Sequence, residues 1–145
     1  MWPANYRGTI RGYGLIEVLI ALLVLSIGLL GLARLQMNGL KSTRSATLRF
    51  EAVNLAYDIL DRMRANRVRA LQGDYDIKLG GTAAGGGQGQ VDLEDWKAAL
   101  AATLPEGDGS IAVENRVATV IVQWSEPWQA EPLEGNGTVR LRTQL

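Results

Sequence analysis

One unbroken apolar run stands near the start of the chain. From Leu15 to Ala33 most positions are Leu, Ile, Val or Ala, and Glu17 is the only charged one. As an α-helix, the run would be roughly 28 Å long at 1.5 Å per residue, which is close to the ~30 Å hydrocarbon layer of a bilayer. We therefore predict a membrane-spanning helix. The alternative is a wholly buried core helix, but a domain of this size seldom needs so continuous a run.

The apolar pattern then becomes periodic. Apolar residues recur near helical spacing, and an adjoining stripe widens them into one broad apolar face. The opposite side is charged. The pattern predicts that a single helix runs from about Tyr13 to Asn66, with an amphipathic outer half. The residues of the predicted face are Leu40, Leu48, Ala52, Leu55, Ile59 and Met63, and those of the adjoining stripe are Phe50, Val53, Tyr57 and Leu60.

A glycine-rich stretch and a second helix follow. Six glycines lie between residues 80 and 89, which predicts a flexible loop. Asp92 is then a suitable N-cap for a short helix that Pro105 ends. The predicted buried face of this helix consists of Leu93, Trp96, Leu100 and Leu104.

The last third of the chain has strand patterns. We predict strands over 110–114, 117–124 and 138–145, with a hairpin turn at Asn115-Arg116 and another turn at 135–137. The segment 125–137 between the last two strands is predicted to be an exposed loop, in which Trp128 either contacts a partner or folds onto the sheet. Three or four antiparallel strands against the amphipathic helix give an α+β fold.

Composition argues against catalysis. The chain has no Cys and no His, so it lacks disulfides, thiolate metal sites and the usual general base. We also find neither a P-loop nor a dinucleotide-binding glycine motif after a strand. Asp74 and Asp76 offer two hard oxygen ligands, too few for calcium, and the acids of 92–95 suit a helix start. We expect no enzyme activity, cofactor or metal.

Charge is unevenly distributed, although the net charge is zero. Eight basic residues and three acids lie between Arg34 and Gln72, whereas five basic residues and eleven acids lie between Gly73 and Leu145. Excess arginine can indicate nucleic-acid binding, but no aromatic residues are interleaved to stack on bases. We therefore interpret the basic segment as a solvated helix face and expect no nucleic-acid partner.

The N-terminus differs from an ordinary secretory signal. Its basic stretch ends at Arg11-Gly12, the apolar run follows that glycine, and no A-x-A site comes after the run. The apolar segment is therefore predicted to remain in the mature protein. Arg7 and Arg11 favour a cytoplasmic N-terminus by the positive-inside rule.

The segment RGYGLIEVLIALLVLSIGLLGL resembles the class III signal of type IV pilins and pseudopilins. In this family a short basic leader ends in Gly, cleavage follows it, the new N-terminus is methylated, and Glu is the fifth mature residue. The resemblance assigns processing to Gly12 and Tyr13, although Phe is usual at the position of Tyr13. It assigns filament assembly to Glu17, which would pair with the terminal amine of a neighbouring subunit. An acid at the start of a helix also gains from the helix dipole.

The resemblance implies an architecture and a set of partners. Residues 1–12 would be the leader peptide, 13–35 the membrane-spanning and filament-core half of the helix, and 36–145 a periplasmic pilin-like head domain. In that architecture the long helix packs on a small antiparallel sheet. The partners implied are the prepilin peptidase, major and minor pilins, and the inner-membrane assembly platform. The chain would be a single-pass inner-membrane protein that later enters a surface pilus.

The segment LAYDILDRMRANR, from Leu55 to Arg67, is similar to the corresponding segment of PilV-type minor pilins. This resemblance favours a minor pilin of a type IV pilus, with a pseudopilin of a type II secretion system as the alternative. Its charged residues are spaced for local i,i+3 and i,i+4 pairs but would equally suit a subunit contact, and the sequence does not separate these two interpretations.

Overall fold

A computed structural model describes residues 14–84, 86–128 and 136–145. The described parts form three helices and three strands. A division of the chain into two units falls between Leu40 and Lys41. The predicted α+β fold, with a long N-terminal helix packed on a small antiparallel sheet, is confirmed. In chain order the elements are α1 (Leu15–Ala65), α2 (Arg67–Leu71), α3 (Gln88–Thr103), β1 (Asp108–Glu114), β2 (Val117–Ser125) and β3 (Asn136–Gln144).

The first unit contains the apolar part of α1. The helix begins just after Gly14, whose carbonyl oxygen accepts hydrogen bonds from the backbone N–H groups of Glu17 (2.9 Å) and Val18 (3.3 Å). Every side chain from residue 15 to residue 40 is exposed. Because none of this part of α1 is buried in the part of the chain that the structure describes, the alternative of a wholly buried core helix is wrong.

In the second unit, the rest of α1 packs against the head domain through a narrow face. The buried residues Ala52, Ala56, Ile59, Leu60 and Met63 follow helical spacing. The broader face predicted from the sequence is wrong at three positions, because Leu40, Phe50 and Tyr57 are 72%, 63% and 49% exposed. Within the second unit, Phe50 and Tyr57 leave the helix on sides that face away from the line from Ala52 to Met63.

The sheet is an antiparallel meander in the order β1-β2-β3. The predicted hairpin turn at Asn115-Arg116 is confirmed, and both residues have positive φ (51° and 66°), as a two-residue turn between twisted strands requires. On the far side of β1, Ile77 and Ile111 form an isolated antiparallel bridge. One sheet face is buried, since Ala118, Val120, Val122 and Trp124 alternate along β2 with half-buried residues.

Two tryptophans fill the space between this sheet face and the helices. The predicted buried face of α3 is confirmed, with Trp96 1% exposed and its indole N–H donating to the Leu55 carbonyl oxygen of α1 at 2.9 Å. Trp124 from β2 is also buried. A Cβ at Gly137 would lie 2.0 Å from the Trp124 ring. Only a glycine at position 137 leaves room for this indole. Asn136 and Gly137 belong to β3, so the predicted turn at 135–137 is wrong for these two residues.

The start of α3 also differs from the prediction. The helix begins at Gln88, inside the predicted glycine-rich loop. Asp92 is a buried residue of the second helical turn and does not cap the helix. Its carboxylate is held by side chains of other elements, a role that helical spacing alone does not reveal.

Candidate functional site

The predicted assembly residue Glu17 lies in the first turn of α1 and is exposed. The predicted processing residues Gly12 and Tyr13, like the rest of the predicted leader 1–12, lie outside the described residues. Near the helix N-terminus, the aligned backbone dipoles stabilise a carboxylate. Because Glu17 is the first charged residue of α1, its carboxylate stands at one end of an otherwise apolar surface.

Among the described residues, α1 is the helix that is long and apolar enough to cross a membrane. Its most apolar 18-residue window has a mean hydropathy of 2.7, and none of that window is buried. The Ser26 hydroxyl donates a hydrogen bond within the helix, to the Leu22 carbonyl oxygen at 2.7 Å. An exposed apolar helix of this kind requires lipid or other apolar helices around it.

At the other end of α1, Arg62 connects the helix to α3. Its guanidinium lies 3.0 Å from the Asp58 carboxylate within α1. It also lies 3.6 Å from Asp92 and 3.6 Å from Asp95, both on α3. The side chain of Asp92 is only 8% exposed, so Arg62 provides compensating charge for a buried carboxylate.

Asp92 is the centre of a buried polar network. It accepts hydrogen bonds from the Tyr75 hydroxyl (2.5 Å) and the Gln88 side chain (2.9 Å). Asn66, the residue that follows α1, donates to the same Tyr75 hydroxyl at 3.3 Å. Burial, reinforced by the neighbouring Asp92 carboxylate, raises the pKa of Tyr75 to about 12. Tyr75 therefore remains a neutral donor at physiological pH.

The remaining basic residues of the segment also make contacts within the chain. Arg64 pairs with Asp61 at 2.7 Å, and its guanidinium lies 3.4 Å from the Thr143 hydroxyl of β3. Arg67 donates to the Leu145 carbonyl oxygen at 2.8 Å. Local helix pairing is thus present in LAYDILDRMRANR, and contacts to α3, Tyr75 and the end of the sheet accompany it. Because all these contacts lie within one chain, they do not test whether the segment also contacts another subunit, and that interpretation stays a prediction.

A second contact between α1 and the head domain lies nearer the start of that domain, and no sequence pattern indicated it. Glu126, which follows β2, is 1% exposed. Its carboxylate accepts hydrogen bonds from Ser45 of α1 (2.8 Å) and from the indole of Trp124 (2.7 Å). Two residues later, Trp128 stacks under the Arg44 guanidinium at 4.4 Å. Trp128 therefore contacts α1, and the prediction had considered only a partner or the sheet.

The acidic residues considered for calcium serve structural roles. Asp76 accepts a hydrogen bond from the Val113 backbone N–H at 2.9 Å, and Asp74 lies 3.7 Å from Arg69. Within the described residues, we find no group of three or more acidic side chains arranged to hold a metal ion.

Burial alone would raise the pKa of Asp108, but hydrogen bonds from Lys97 and from backbone N–H groups lower it below its ordinary value.

Comparison with known protein families gives two adjoining matches. Residues 7–33 match the prokaryotic N-terminal methylation motif, and residues 34–84 match the family described as Type IV pilin Tt1218. No curated protein and no solved structure gave a significant match. The matched parts of the chain are therefore similar to type IV pilin sequence, preceded by a methylation motif.

The matches and the geometry agree. The methylation motif ends at residue 33, where the apolar run of α1 ends, and the Tt1218 match includes the α1 face that packs on the head domain, together with Asn66 and Tyr75. The motif and the exposed apolar helix indicate membrane anchoring and processing by a prepilin peptidase. They support the role of a pilin or pseudopilin, which is a structural subunit.

Proposed function

We propose that this chain is a minor pilin that enters, or primes the assembly of, a type IV pilus after cleavage behind Gly12 and methylation of Tyr13. The observation that carries the proposal is the coincidence of a methylation motif with the apolar part of α1, whose side chains from residue 15 to residue 40 are all exposed. An exposed apolar helix segment of this kind can lie first in lipid and then among the apolar helices of neighbouring subunits.

Glu17 is the proposed assembly residue. A carboxylate surrounded by apolar helices is costly unless a cation neutralises it. Cleavage creates such a cation, because the new N-terminus at Tyr13 is an amine. Pairing between Glu17 of one subunit and the amine of its neighbour then fixes how far one helix is shifted along the other.

The proposed topology is the one that the resemblance to the leader of type IV pilins implies. Arg7 and Arg11 precede the apolar run without any acid among the first 12 residues, as in that basic leader. The N-terminus would then lie in the cytoplasm and residues 36–145 in the periplasm. Residues 13–35 would span the inner membrane. The assembly platform would then move the processed chain from the membrane into the pilus.

The PilV-type assignment rests on the segment from Leu55 to Arg67, and a pseudopilin of a type II secretion system is the second candidate. Both candidates share the leader and the fold. Deleting the gene and measuring surface pili, twitching and protein secretion in the same strain separates them. A minor pilin predicts fewer or altered pili with normal secretion, whereas a secretion defect with normal pili would contradict the proposal.

A further inference from the structure

A hollow with basic residues in its wall lies where Trp128 meets α1 in the second unit. It has a volume of 460 Å³. Along the chain, its first residue, Lys41, follows closely on the apolar run that ends at Ala33. All of its lining residues belong to the second unit. We call it the basic hollow; it is lined by Lys41, Ser42, Ser45, Ala46, Arg49 and Trp128.

The cations of the basic hollow have no carboxylate partner in the part of the chain that the structure describes. Lys41 and Arg49 are exposed, and neither forms an ion pair there. The cations near the end of α1 differ, since Arg62 and Arg64 each pair with an acid of the same helix. The positive charge of the hollow is therefore available to an anion from outside.

The spacing of the two cations suits a small anion held between them. Lys41, Ser45 and Arg49 are four residues apart and lie on one line of the helix. Lys41 and Arg49 are thus separated by roughly 12 Å at 1.5 Å per residue, and their long side chains can converge on one ligand. The Ser45 hydroxyl donates to Glu126 at 2.8 Å, so the hydroxyl that remains for a ligand is that of Ser42.

Trp128 adds a hydrogen-bond donor to the same place. Its indole N–H is buried and has no acceptor among the described residues, which is an unfavourable state for a polar group. The Arg44 guanidinium lies 4.4 Å from the centre of the Trp128 ring and brings a third cation beside the hollow. An anion in the hollow would supply the acceptor that the indole lacks.

One acid lies beside the basic hollow. Glu126 is 1% exposed, and its carboxylate accepts hydrogen bonds from the Ser45 hydroxyl and the Trp124 indole. These donors stabilise its charge inside the head domain. The three cations of the hollow therefore outnumber the single buried acid, and the balance favours a ligand with one negative charge.

We propose that the basic hollow binds the phosphate group of an anionic phospholipid. Lys41 and Arg49 contact the phosphate oxygens, and Ser42 and Trp128 donate hydrogen bonds to them. This inference rests on the membrane anchoring in the proposed function and adds a ligand to it. Basic residues that closely follow a membrane-spanning helix attract anionic lipids, and tryptophan side chains favour the membrane interface. The position of the hollow along the chain therefore favours a lipid phosphate over other anions.

Binding of phosphatidylglycerol to the detergent-solubilised full chain tests the proposal. Native mass spectrometry measures the fraction of chain that carries the lipid at each lipid concentration. We expect Lys41→Gln combined with Arg49→Gln to weaken binding about tenfold or more. Arg140→Gln combined with Arg142→Gln is the matched control, because it removes two exposed cations of β3, and it should bind like the wild type. Equal losses in the two double variants would overturn the site, since they would show attraction to overall charge alone.

A single substitution tests the part of the indole. Trp128→Phe keeps an aromatic ring for Arg44 and removes the N–H, so we expect it to weaken binding about threefold. Binding that is unchanged in Trp128→Phe would overturn the assignment of Trp128 as a donor to the phosphate.

Parallel titrations separate the sources of the phosphate. Phosphatidylcholine has the same phosphate group but no net charge, and inorganic phosphate has the charge but no acyl chains. We expect both to bind about tenfold more weakly than phosphatidylglycerol. Equal binding of phosphatidylcholine would overturn recognition by charge, and equal binding of inorganic phosphate would overturn the lipid as the ligand.

Photo-cross-linking in cell membranes distinguishes a lipid from an acidic protein and separates this inference from the proposed function. A photo-reactive residue in place of Ala46 should capture phospholipid, and capture of a protein instead would overturn the lipid assignment. Absence of the chain from the membrane fraction would overturn the proposed function. A membrane-bound chain without a preference for phosphatidylglycerol would overturn this inference alone.

Discussion

The hydroxyl of Tyr75 donates a hydrogen bond of 2.5 Å to the buried carboxylate of Asp92. This contact, together with Asn66 and Arg62, holds the end of α1 against α3. The charged segment at the end of α1 therefore contributes to the attachment of the helix to the head domain.

Tyr75→Phe should lower the free energy of unfolding by about 1–2 kcal/mol at neutral pH, because Asp92 loses a buried donor. The native pKa of about 12 exceeds the ordinary value of 10.0. The wild type therefore loses stability as pH rises from 10 to 12, by about 2 kcal/mol, and Tyr75→Phe should remove that loss. Denaturant unfolding of the detergent-solubilised chain, followed by tryptophan fluorescence, measures both effects.

Tyr57→Phe is the matched control, because Tyr57 is an exposed tyrosine on the same helix. It should keep the neutral-pH stability and the alkaline loss of the wild type. Equal behaviour of the two variants between pH 10 and 12 would show that Tyr75 has no special environment.

Arg62→Ala should destabilise the head domain by about 2–3 kcal/mol, because it leaves the buried Asp92 carboxylate without its cation. Arg64→Ala should cost no more than about 0.5 kcal/mol, since Arg64 pairs with Asp61, whose side chain is 71% exposed. The same unfolding measurement compares them. Similar losses for the two variants would reduce the role of Arg62 to local helix pairing.

Gly137→Ala should destabilise the chain by about 1–3 kcal/mol, because the new methyl group would overlap the Trp124 indole. Gly86→Ala is the control, since a Cβ there meets no atom within 4 Å. Denaturation midpoints report both. A Gly137→Ala variant with the denaturation midpoint of the wild type would mean that Trp124 can move without loss of stability, contrary to its buried position against β3.

These residues show how far the sequence predicts this fold. The apolar run, the strand alternation and the Asn115-Arg116 turn depend on local pattern, and the structure has them where the pattern placed them. Asp92, Gly137 and Glu126 depend on side chains that are distant in sequence. The local sequence around Asp92 suits an N-cap as well as it suits a buried polar network. The local sequence around Gly137 suits a turn as well as it suits a strand position that an indole covers.

The face of α1 shows the same limit in another form. Phe50 and Tyr57 have the apolar character of core residues, so helical periodicity predicts a broad apolar face. The head domain buries the line from Ala52 to Met63 and partly buries Leu48, Val53 and Leu55, whereas Phe50 and Tyr57 stay exposed. Which part of a wide apolar face is covered depends on the size of what packs on it, and helical periodicity does not contain that information.

Glu17→Ala should leave the amount of membrane-inserted chain unchanged and lower its amount in sheared filaments by about tenfold or more. The reason is that the neighbouring amine at Tyr13 would lose its proposed partner inside the helix bundle. Quantitative immunoblots of membrane and filament fractions measure both amounts. Glu114→Ala, which removes an acid at the end of β1, is the control and should assemble normally; normal assembly of Glu17→Ala would exclude its proposed role.

The proposed function requires that the chain is processed behind Gly12 and assembled as a pilin. Mass spectrometry of the chain recovered from sheared filaments measures both, with Gly12→Glu as the variant that should remain unprocessed. We expect a mature chain that begins with N-methylated Tyr13. A chain that retains Met1 in cells with active prepilin peptidase would contradict it.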